Sequence, residues 1–442
     1  MSFQNRLEHA LRVASPMRYG QVIGVTGLQL EVAGIEAAIG EAVTVDTPHG
    51  PLSAEVIALR EGTLICMPLG EMRGVRSGAR AAADDEAPTI VVGEHLLGRV
   101  LNGTGQPIDG LGRIDGDHVT IHGAPPHPLR RAHVDRAMPL GIRAIDTAIP
   151  CGRGQRMGIF AGSGVGKSSV LSMIARGTEA QVSVLALIGE RGREVRDFIE
   201  HDLGPDGLAR SVVIVATSDE PALVRLRAAF VATRIAEWFR DRDADVVLMM
   251  DSLTRFAMAQ REVGLAAGEP PATRGYPPSV FSLLPKLLER AGAGERGSIT
   301  GLYTVLVEGD DMNEPVGDHA RSILDGHIVL SRKLATAGHY PSIDILESVS
   351  RVAPTITTAQ QRQASGELRR LLAAYRDAKD LIEIGAYVPG ANTGVDRAVL
   401  LKDRIDGYLR QDMSEISIAS ESWAQLFDVL GLSTPALPVG VG

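Results

Sequence analysis

The 442-residue sequence has few aromatic residues, two cysteines and no long apolar run, and each shortage excludes a class of protein. Phe, Trp and Tyr together make up 4% of the chain, so the core must be aliphatic. Cys66 and Cys151 lie far apart without metal-ligand spacing, which favours two reduced thiols in a cytoplasmic protein over a disulfide. No apolar run is long enough to span a bilayer, and no basic-then-apolar signal peptide begins the sequence. We therefore expect membrane association only peripherally, through partners.

The charge balance is acidic. The 54 Asp and Glu residues outnumber the 45 Lys and Arg residues, for a formal net charge of -9. A protein that coats nucleic acid non-specifically needs a basic surface to displace counterions, so we expect no nucleic-acid partner, although a local basic patch stays open. The length exceeds what one core usually accommodates, which predicts two or three domains.

The most informative feature that is present is a glycine-rich stretch, FAGSGVGKSS, at residues 160–169. Gly162, Gly164 and Gly166 can take φ values that other residues avoid and so turn backbone N–H groups toward an anion. An apolar strand-like run precedes the stretch, and a helix-like run follows, whose positive N-terminal end would face a phosphate. The pattern A-x-x-x-x-G-K-S departs from the stricter phosphate-binding loop only at Ala161. A glycine-rich turn with a surface lysine is the alternative.

On the first interpretation, Lys167 reaches the outer phosphates and Ser168 lies where such a loop holds Mg²⁺. The predicted nucleotide-binding residues of this loop are Ala161, Gly162, Ser163, Gly164, Val165, Gly166, Lys167, Ser168 and Ser169.

The first third of the chain predicts a short helix, a β domain and a connector. Phe3, Leu7 and Leu11 lie four apart, which predicts an amphipathic helix over residues 1–15 that either packs on its own body or docks a partner. Short β-rich runs separated by glycine, proline and acidic residues predict a small barrel within residues 16–90. Residues 91–150 are rich in glycine and proline and predict an ordered connector with little regular structure.

The remainder predicts an α/β domain followed by a helical one. Near-continuous apolar strands suit a mostly parallel sheet that is covered on both faces. With the connector, this domain covers residues 91–352, and helical periodicity predicts a C-terminal α-helical domain over 353–442. The predicted strands lie at 182–188, 211–216, 245–250, 299–307 and 327–330.

Three of the apolar runs end in a carboxylate, at Glu190, Asp251 and Glu308. Ligands of open α/β sheets bind beyond the carboxyl ends of the strands. Asp251 matches the aspartate that holds Mg²⁺ in P-loop enzymes, although a strand ending at a turn gives the same pattern. Glu190 lies 23 residues after Lys167, room for one helix and one strand, so it could orient and deprotonate the attacking water. An exposed ion-pair cluster in GERGREV is its alternative.

Phosphoryl transfer also needs positive charge at the γ-phosphate, which an arginine often supplies. Physical reasoning alone does not choose among five candidates: Arg191, Arg255, Arg261, Arg274 and Arg351.

Five stretches together resemble the rotary ATPase family and, more narrowly, the export ATPases of flagellar and type III secretion systems. The resemblance covers about the whole chain, and the P-S-I-D-x-x-x-S-x-S run at Pro341 to Ser350 is a specific signature. It implies a RecA-like P-loop ATPase core with an N-terminal β-barrel domain and a C-terminal helical domain. The stretches are GRGQRMGIFAGSGVGKSS (152–169), LIGERGREVRDFI (187–199), LMMDSLTRFAMAQRE (248–262), RGYPPSVFSLLPKLLERAG (274–292) and HYPSIDILESVSR (339–351).

The resemblance implies that Lys167 and Ser168 bind the phosphates of ATP and Mg²⁺, that Glu190 is the catalytic carboxylate, and that Asp251 is the Walker B acid. Arg191, adjacent to Glu190, is a further catalytic candidate.

It also implies that Tyr340 packs the adenine ring and that Arg351 enters the neighbouring subunit's site, so that hydrolysis requires a six-membered ring. A core aromatic and an intrasubunit salt bridge are the respective alternatives.

Among related functions, we expect a cytoplasmic flagellar export ATPase at the inner-membrane base of the flagellum. The injectisome ATPase and the ATP synthase catalytic subunit are alternatives. An RNA-translocating hexameric motor is another, but Tyr19 is the only aromatic residue from Met17 to Met67, a poor platform for stacking bases. The partners implied are a regulatory peripheral-stalk-like protein at the N-terminal helix, a central coiled-coil stalk, the export gate and substrate-chaperone complexes.

Overall fold

A computed structural model describes residues 19–84, 88–307 and 314–433 of the chain. The predicted helix of residues 1–15 and the predicted strand end at Glu308 lie outside these described residues. The domain limits at residues 90 and 352 stay predictions.

Six strands close an N-terminal barrel in the order β1-β2-β5-β4-β3-β6. Alternate side chains point inward, and the aliphatic interior includes Val22, Leu30, Val43 and Val56, as a half-buried barrel strand requires. The sequence indicated the first five strands but not the sixth, because the run RAAA has neither β-branched nor aromatic residues. The strands are β1 (Tyr19–Thr26), β2 (Gln29–Ala33), β3 (Ala42–Thr47), β4 (Gly50–Arg60), β5 (Thr63–Pro68) and β6 (Arg80–Ala83).

The segment expected to be a connector contributes strands of its own. β7 (Thr89–Val92) pairs with β9 (Asp117–Thr120), and β8 (Val100–Asn102) adds to the edge of the central sheet. A three-residue strand is too short to show a period of two, which explains why the pattern VLN gave no signal.

The central sheet has the order β17-β16-β10-β15-β13-β11-β12-β8, with β14 paired to β15. All pairs are parallel except those that β14 and β17 make. The expectation of a mostly parallel sheet is therefore met. Its remaining strands are β10 (Arg156–Ala161), β11 (Val182–Glu190), β12 (Ser211–Thr217), β13 (Asp245–Asp251), β14 (Gly292–Ala293), β15 (Ser298–Leu306), β16 (Gly326–Leu330) and β17 (Ile343–Ser350).

Helices cover both faces of this sheet. Neighbouring residues of β11 belong to different apolar clusters, Leu185 and Leu187 to one face and Val184 and Ala186 to the other, which explains the continuous apolar runs. The helices are α1 (Arg143–Ala148), α2 (Lys167–Gly177), α3 (Gly192–Asp197), α4 (Gly204–Ala209), α5 (Ala222–Arg240), α6 (Leu253–Ala267), α7 (Pro278–Leu288), α8 (Pro315–Ile323), α9 (Arg332–Thr336), α10 (Ala353–Ile356), α11 (Ala359–Glu383), α12 (Thr393–Leu409) and α13 (Ala419–Leu430).

The C-terminal helices share one of these two clusters. Thr358 and Gln361 cap the start of α11 reciprocally, and Leu368 and Leu426 are buried in the same cluster as Leu171 of α2. The helical region therefore packs directly on the elements that follow the glycine-rich loop. No helix within the described ranges combines the length and apolar character needed to cross a bilayer.

Candidate active site

The glycine-rich loop leaves the carboxyl end of β10 and leads into the N-terminus of α2. Gly164 and Gly166 have φ values of 75° and 95°, in the left-handed region, where a side chain would be strained. Gly162 does not share this conformation, so two of the three glycines make the turn that the sequence predicted for all of them. The Val165 carbonyl accepts a hydrogen bond of 2.6 Å from Ser342 Oγ, which ties the loop to the segment that leads into β17.

Two carboxylates meet Lys167 at the same edge of the sheet. Lys167 Nζ lies 2.6 Å from Asp251 Oδ1 and 3.1 Å from Glu190 Oε1. β13 and β11 are neighbours, so the two strand ends place their acids side by side. The three side chains are 13%, 6% and 17% exposed for Lys167, Asp251 and Glu190 respectively. The lysine is therefore not a surface side chain, and Glu190 does not belong to an exposed ion-pair cluster.

Burial and charge oppose each other in this cluster. Burial alone would lower the pKa of Lys167, but the charges of Asp251 and Glu190 and their hydrogen bonds outweigh it, and the pKa rises. Burial raises the pKa of Asp251, and Lys167 offsets part of that rise. One ammonium group thus contacts two carboxyl groups, and it can balance the negative charge of only one of them in this poorly solvated place.

Thr304 is a member of the site that sequence reasoning missed. Its buried hydroxyl donates to Asp251 Oδ1 at 2.7 Å, from near the carboxyl end of β15, which separates β13 from β10. The available signal was the Thr304 hydroxyl within the otherwise apolar end of the run ITGLYTVLV. A buried polar group needs a hydrogen-bond partner, so this residue pointed to a polar neighbour inside the sheet.

Tyr340 lies beside the start of α2. A Cβ added to Gly166 would lie 3.6 Å from its ring, and the side chain is 47% exposed. Its carbonyl accepts from the backbone N–H of Gln411 at 3.0 Å, in the segment between α12 and α13. An aromatic ring this exposed is not a core residue, and it stands at the open edge of the loop.

The polar residues of the signature run each have a structural partner. Asp344 Oδ1 accepts from the N–H groups of Leu346 and Glu347, and Ser348 Oγ donates to the Asp344 carbonyl and accepts from Val329 N–H. Residues 345–348 lie opposite the single residue Ile328 of β16, and we call them the β17 bulge. The run thus builds a bulge at a fixed place in an edge strand.

Arg351 lies at the other end of the sheet from the glycine-rich loop. Ser350 pairs with Gly326, and Gly326 pairs with Met157 at the start of β10, whereas the loop follows the last residue of β10. Four residue steps separate these levels, about 13 Å along the strand. The exposed side chain of Arg351 has no carboxylate within ion-pair distance among the described residues, and its Nη2 lies 3.4 Å from the Arg321 carbonyl. Within the described ranges, Arg351 therefore forms no intrasubunit salt bridge.

Of the other candidate arginines, two lie close to Glu190 and two do not. Arg191 follows Glu190, is 80% exposed and pairs with Glu194. Arg255 packs its side-chain carbons against Gly189, close to Glu190, whereas Arg261 lies over the Tyr276 ring and Arg274 belongs to a short turn at Thr273–Gly275.

The donor set suits a magnesium ion only in company with phosphate. The described residues contain no group of three or more His, Cys, Asp or Glu side chains able to hold a metal. Mg²⁺ commonly binds through one or two protein oxygens, waters and substrate phosphates. The buried Asp251 carboxylate and the Ser168 hydroxyl on the first turn of α2 fit that requirement.

Three family models match successive parts of the chain. The beta-barrel domain of the ATP synthase alpha/beta family matches residues 22–82, and the nucleotide-binding domain of that family matches residues 141–350. The T3SS EscN ATPase C-terminal domain matches residues 357–428.

Similar proteins match nearly the whole chain. The flagellum-specific ATP synthase of Bacillus subtilis is 47% identical over 98% of this chain and 99% of its own length. The type 3 secretion system ATPase of Xanthomonas euvesicatoria is 50% identical over 90% of this chain and 91% of its own. The structure of the assembled ATPase EscN from the enteropathogenic E. coli type III secretion system covers 93% of this chain and 100% of its own, at 45% identity and a TM-score of 0.89.

Proposed function

Because this chain belongs to the ATP synthase alpha/beta family, in the branch of the flagellum-specific ATP synthases and type 3 secretion system ATPases, we propose that it is the Mg-ATP hydrolase of a flagellar protein-export apparatus. It acts as a homohexameric ring. The injectisome is the alternative system, and the ATP synthase catalytic subunit is a more distant one.

The observation that carries the proposal is the contact of Lys167 with Glu190 and Asp251 beside the glycine-rich loop. A triphosphate in the loop would attract Lys167 through its own negative charge. Glu190 would then lose a partner and be able to orient a water and accept its proton. The loop's N–H groups and the N-terminus of α2 would bind the phosphate oxygens.

Mg²⁺ would be held by the Ser168 hydroxyl and Asp251, and when bound it supplies charge neutralisation at the phosphates. Thr304 fixes the Asp251 carboxylate by its hydrogen bond. Tyr340 would pack against the adenine ring, and Arg191 would add a cation from the same chain.

The ring is part of the proposed chemistry. Arg351 lies too far from the loop of its own chain to act there, and its exposure suits a role in the neighbouring subunit's site. Heterologous contacts that close generate such rings, and EscN, which is similar over nearly the whole chain, has been solved in assembled form.

We further propose a central stalk as a partner, since EscN has been solved in complex with its central stalk EscO. The helix of residues 1–15 would dock a peripheral-stalk-like regulatory protein, and the export gate and substrate-chaperone complexes would contact the ring at the inner-membrane base of the flagellum. Deleting residues 1–14 should abolish regulator binding in a pull-down and spare basal hydrolysis. Unchanged binding would reject this docking.

Hydrolysis measured against protein concentration tests chemistry and assembly together. Specific activity should rise cooperatively with concentration, and Lys167→Ala should remain inactive throughout. Concentration-independent activity would contradict the ring requirement, and activity in Lys167→Ala would contradict the site.

A mixed-ring assay tests whether Arg351 acts in the neighbouring site. Lys167→Ala protomers supply Arg351, and Arg351→Ala protomers supply an intact loop. Random mixing at equal amounts pairs them correctly at about a quarter of the interfaces of a closed ring, so activity should recover toward that fraction. Absence of recovery would reject action in the neighbouring site.

Loss of swimming after deletion of the gene, with injectisome secretion retained, would support flagellar use. The reverse result would favour the injectisome.

A further inference from the structure

Arg369, on α11, joins three parts of the molecule through one guanidinium group. Its Nη1 donates to the Ile345 carbonyl at 2.6 Å, and its Nη2 donates to the carbonyls of Ser348 at 2.9 Å and Ala148 at 3.1 Å. Ile345 and Ser348 are the first and last residues of the β17 bulge, and Ala148 ends α1. A side chain of the helical region therefore holds both ends of the bulge against the core.

The chemistry of this contact favours a geometric role over a purely stabilising one. Arg369 is partly buried, and the described part of the chain places no carboxylate within ion-pair distance of it. Burial lowers its pKa, which means that the site disfavours the charge. A planar guanidinium can donate in several fixed directions at once, whereas an ammonium group is a point charge. The residue type thus suits the task of holding three carbonyls at set positions.

The bulge leads directly to Arg351, three residues after Ser348. Beyond the bulge, Ser350 Oγ donates to the Pro150 carbonyl at 2.7 Å, and Arg351 N–H donates to the Asp325 carbonyl at 3.0 Å. These contacts fix the backbone after the bulge, and Arg369 fixes the bulge itself. Residues 345–348 face one residue of β16, and such an insertion bends the strand that carries it. The contacts of Arg369 therefore bear on the direction in which the chain continues to Arg351.

We propose that Arg369 is a positioning residue, which holds the β17 bulge in the shape that presents Arg351 to the neighbouring subunit. This inference rests on the proposed action of Arg351 in the neighbouring site. The helical region thereby sets the position of the arginine that a subunit contributes to its neighbour's site. It does not act on the glycine-rich loop with which the same subunit binds its own nucleotide.

Mixed rings separate these two roles, because Arg369→Met can be placed in either protomer. In the Lys167→Ala protomer, which supplies Arg351, it should lower the recovered activity on the order of 10²-fold, the loss expected for a misplacement of about 1 Å. In the Arg351→Ala protomer the recovered activity should stay within about twofold of the parental mixture, because that protomer supplies only its loop.

Matched variants make the comparison sharper. Arg370→Met, on the neighbouring residue, removes a guanidinium that is 73% exposed and should change neither mixture. Arg369→Lys keeps the positive charge but loses the planar guanidinium with its fixed donor directions. In a ring made only of this variant, kcat should be lower and KM for ATP unchanged. Thermal unfolding and light scattering of each variant report folding and ring mass.

Equal losses in both protomers, or no loss in either, would overturn the positioning role. A raised KM in Arg369→Lys would also overturn it, because that result places the effect in the subunit's own site. Failure of the parental mixture to recover would instead reject the action of Arg351 in the neighbouring site, and with it the premise of this inference.

Discussion

The two ends of the central sheet contain the same types of charged residue but differ in how those residues are paired and exposed. At the carboxyl end, Lys167 contacts two acids that strand ends bring together, at distances of 2.6 and 3.1 Å. At the amino end, Arg290 and Glu237 form a pair that is 3% and 2% exposed, while Arg351 points into solvent. At the carboxyl end two acidic side chains share one lysine, whereas at the amino end the cationic side chain of Arg351 is exposed. On the proposed function, these two ends are the two halves of a site that neighbouring subunits complete.

We expect charge at the carboxyl end of the sheet to favour binding and charge at the amino end to favour folding, with Arg351 as the exception. Substitutions at the carboxyl end should change kinetics with little effect on the free energy of unfolding. Substitutions of the buried pair at the amino end should do the reverse.

Removing Arg351 should give the largest effect. We expect Arg351→Ala to lower kcat by about 10³-fold or more, as for a lost arginine finger, with KM for ATP and thermal stability unchanged. Steady-state kinetics and a melting curve measure these quantities. Arg296→Ala, at the same end of the sheet and 80% exposed, is the control and should keep normal kinetics. A stability loss with normal kcat would place Arg351 with the folding residues instead.

Breaking the buried pair should give the next largest effect. Among the described residues, Arg290→Met leaves the buried Glu237 with one cationic partner, Arg234, at 3.2 Å. We expect the free energy of unfolding to fall by about 3 kcal/mol, as when one partner of a buried pair is lost, with KM unchanged below the melting temperature. Arg376→Met breaks a pair that is 53% and 58% exposed and should cost well under about 1 kcal/mol. Equal losses in chemical denaturation would show that burial does not distinguish these pairs.

Removing the negative charge of Glu190 should give the third largest effect. Glu190→Gln keeps the shape but cannot accept a proton, so kcat should fall by about 10²-fold or more. ATP should bind at least as tightly, because the variant carries less negative charge beside the phosphates. Single-turnover hydrolysis and equilibrium binding of a non-hydrolysable ATP analogue measure the two effects. Glu200→Gln, which breaks a surface pair with Arg196, should be silent, and a normal kcat in Glu190→Gln would assign the water to another group.

Sequence reasoning found the carboxyl end more completely than the amino end. Glu190 and Asp251 were predictable because parallel strands that end in acids meet at one edge, and the structure brings both to Lys167. Thr304 was missed because it is one of three hydroxyl residues in the run at 299–307, and no period distinguishes it from the other two.

The separation of Arg351 from its own loop could not be predicted, because it depends on β17 running antiparallel at the sheet edge. The bulge and its clamp were equally inaccessible, since a side chain on α11 reaches carbonyls that no sequence pattern identifies. Short strands were the other failure: β6 and β8 owe their place to neighbours and not to their own propensity.

Truncating Tyr340 should give the smallest change, and it tests whether the carboxyl end binds the base as well as the phosphates. Tyr340→Ala should raise KM about tenfold and leave kcat unchanged, since stacking against a base contributes about 1–3 kcal/mol. Tyr340→Phe keeps the ring and should behave as the unaltered protein. Inorganic tripolyphosphate has no base. If its inhibition constant is the same for Tyr340→Ala and Tyr340→Phe, the binding energy lost in Tyr340→Ala comes from contact with the adenine ring. A larger inhibition constant in Tyr340→Ala would mean that the tyrosine ring supports the turn of the loop at Gly166, where an added Cβ would lie 3.6 Å from the ring.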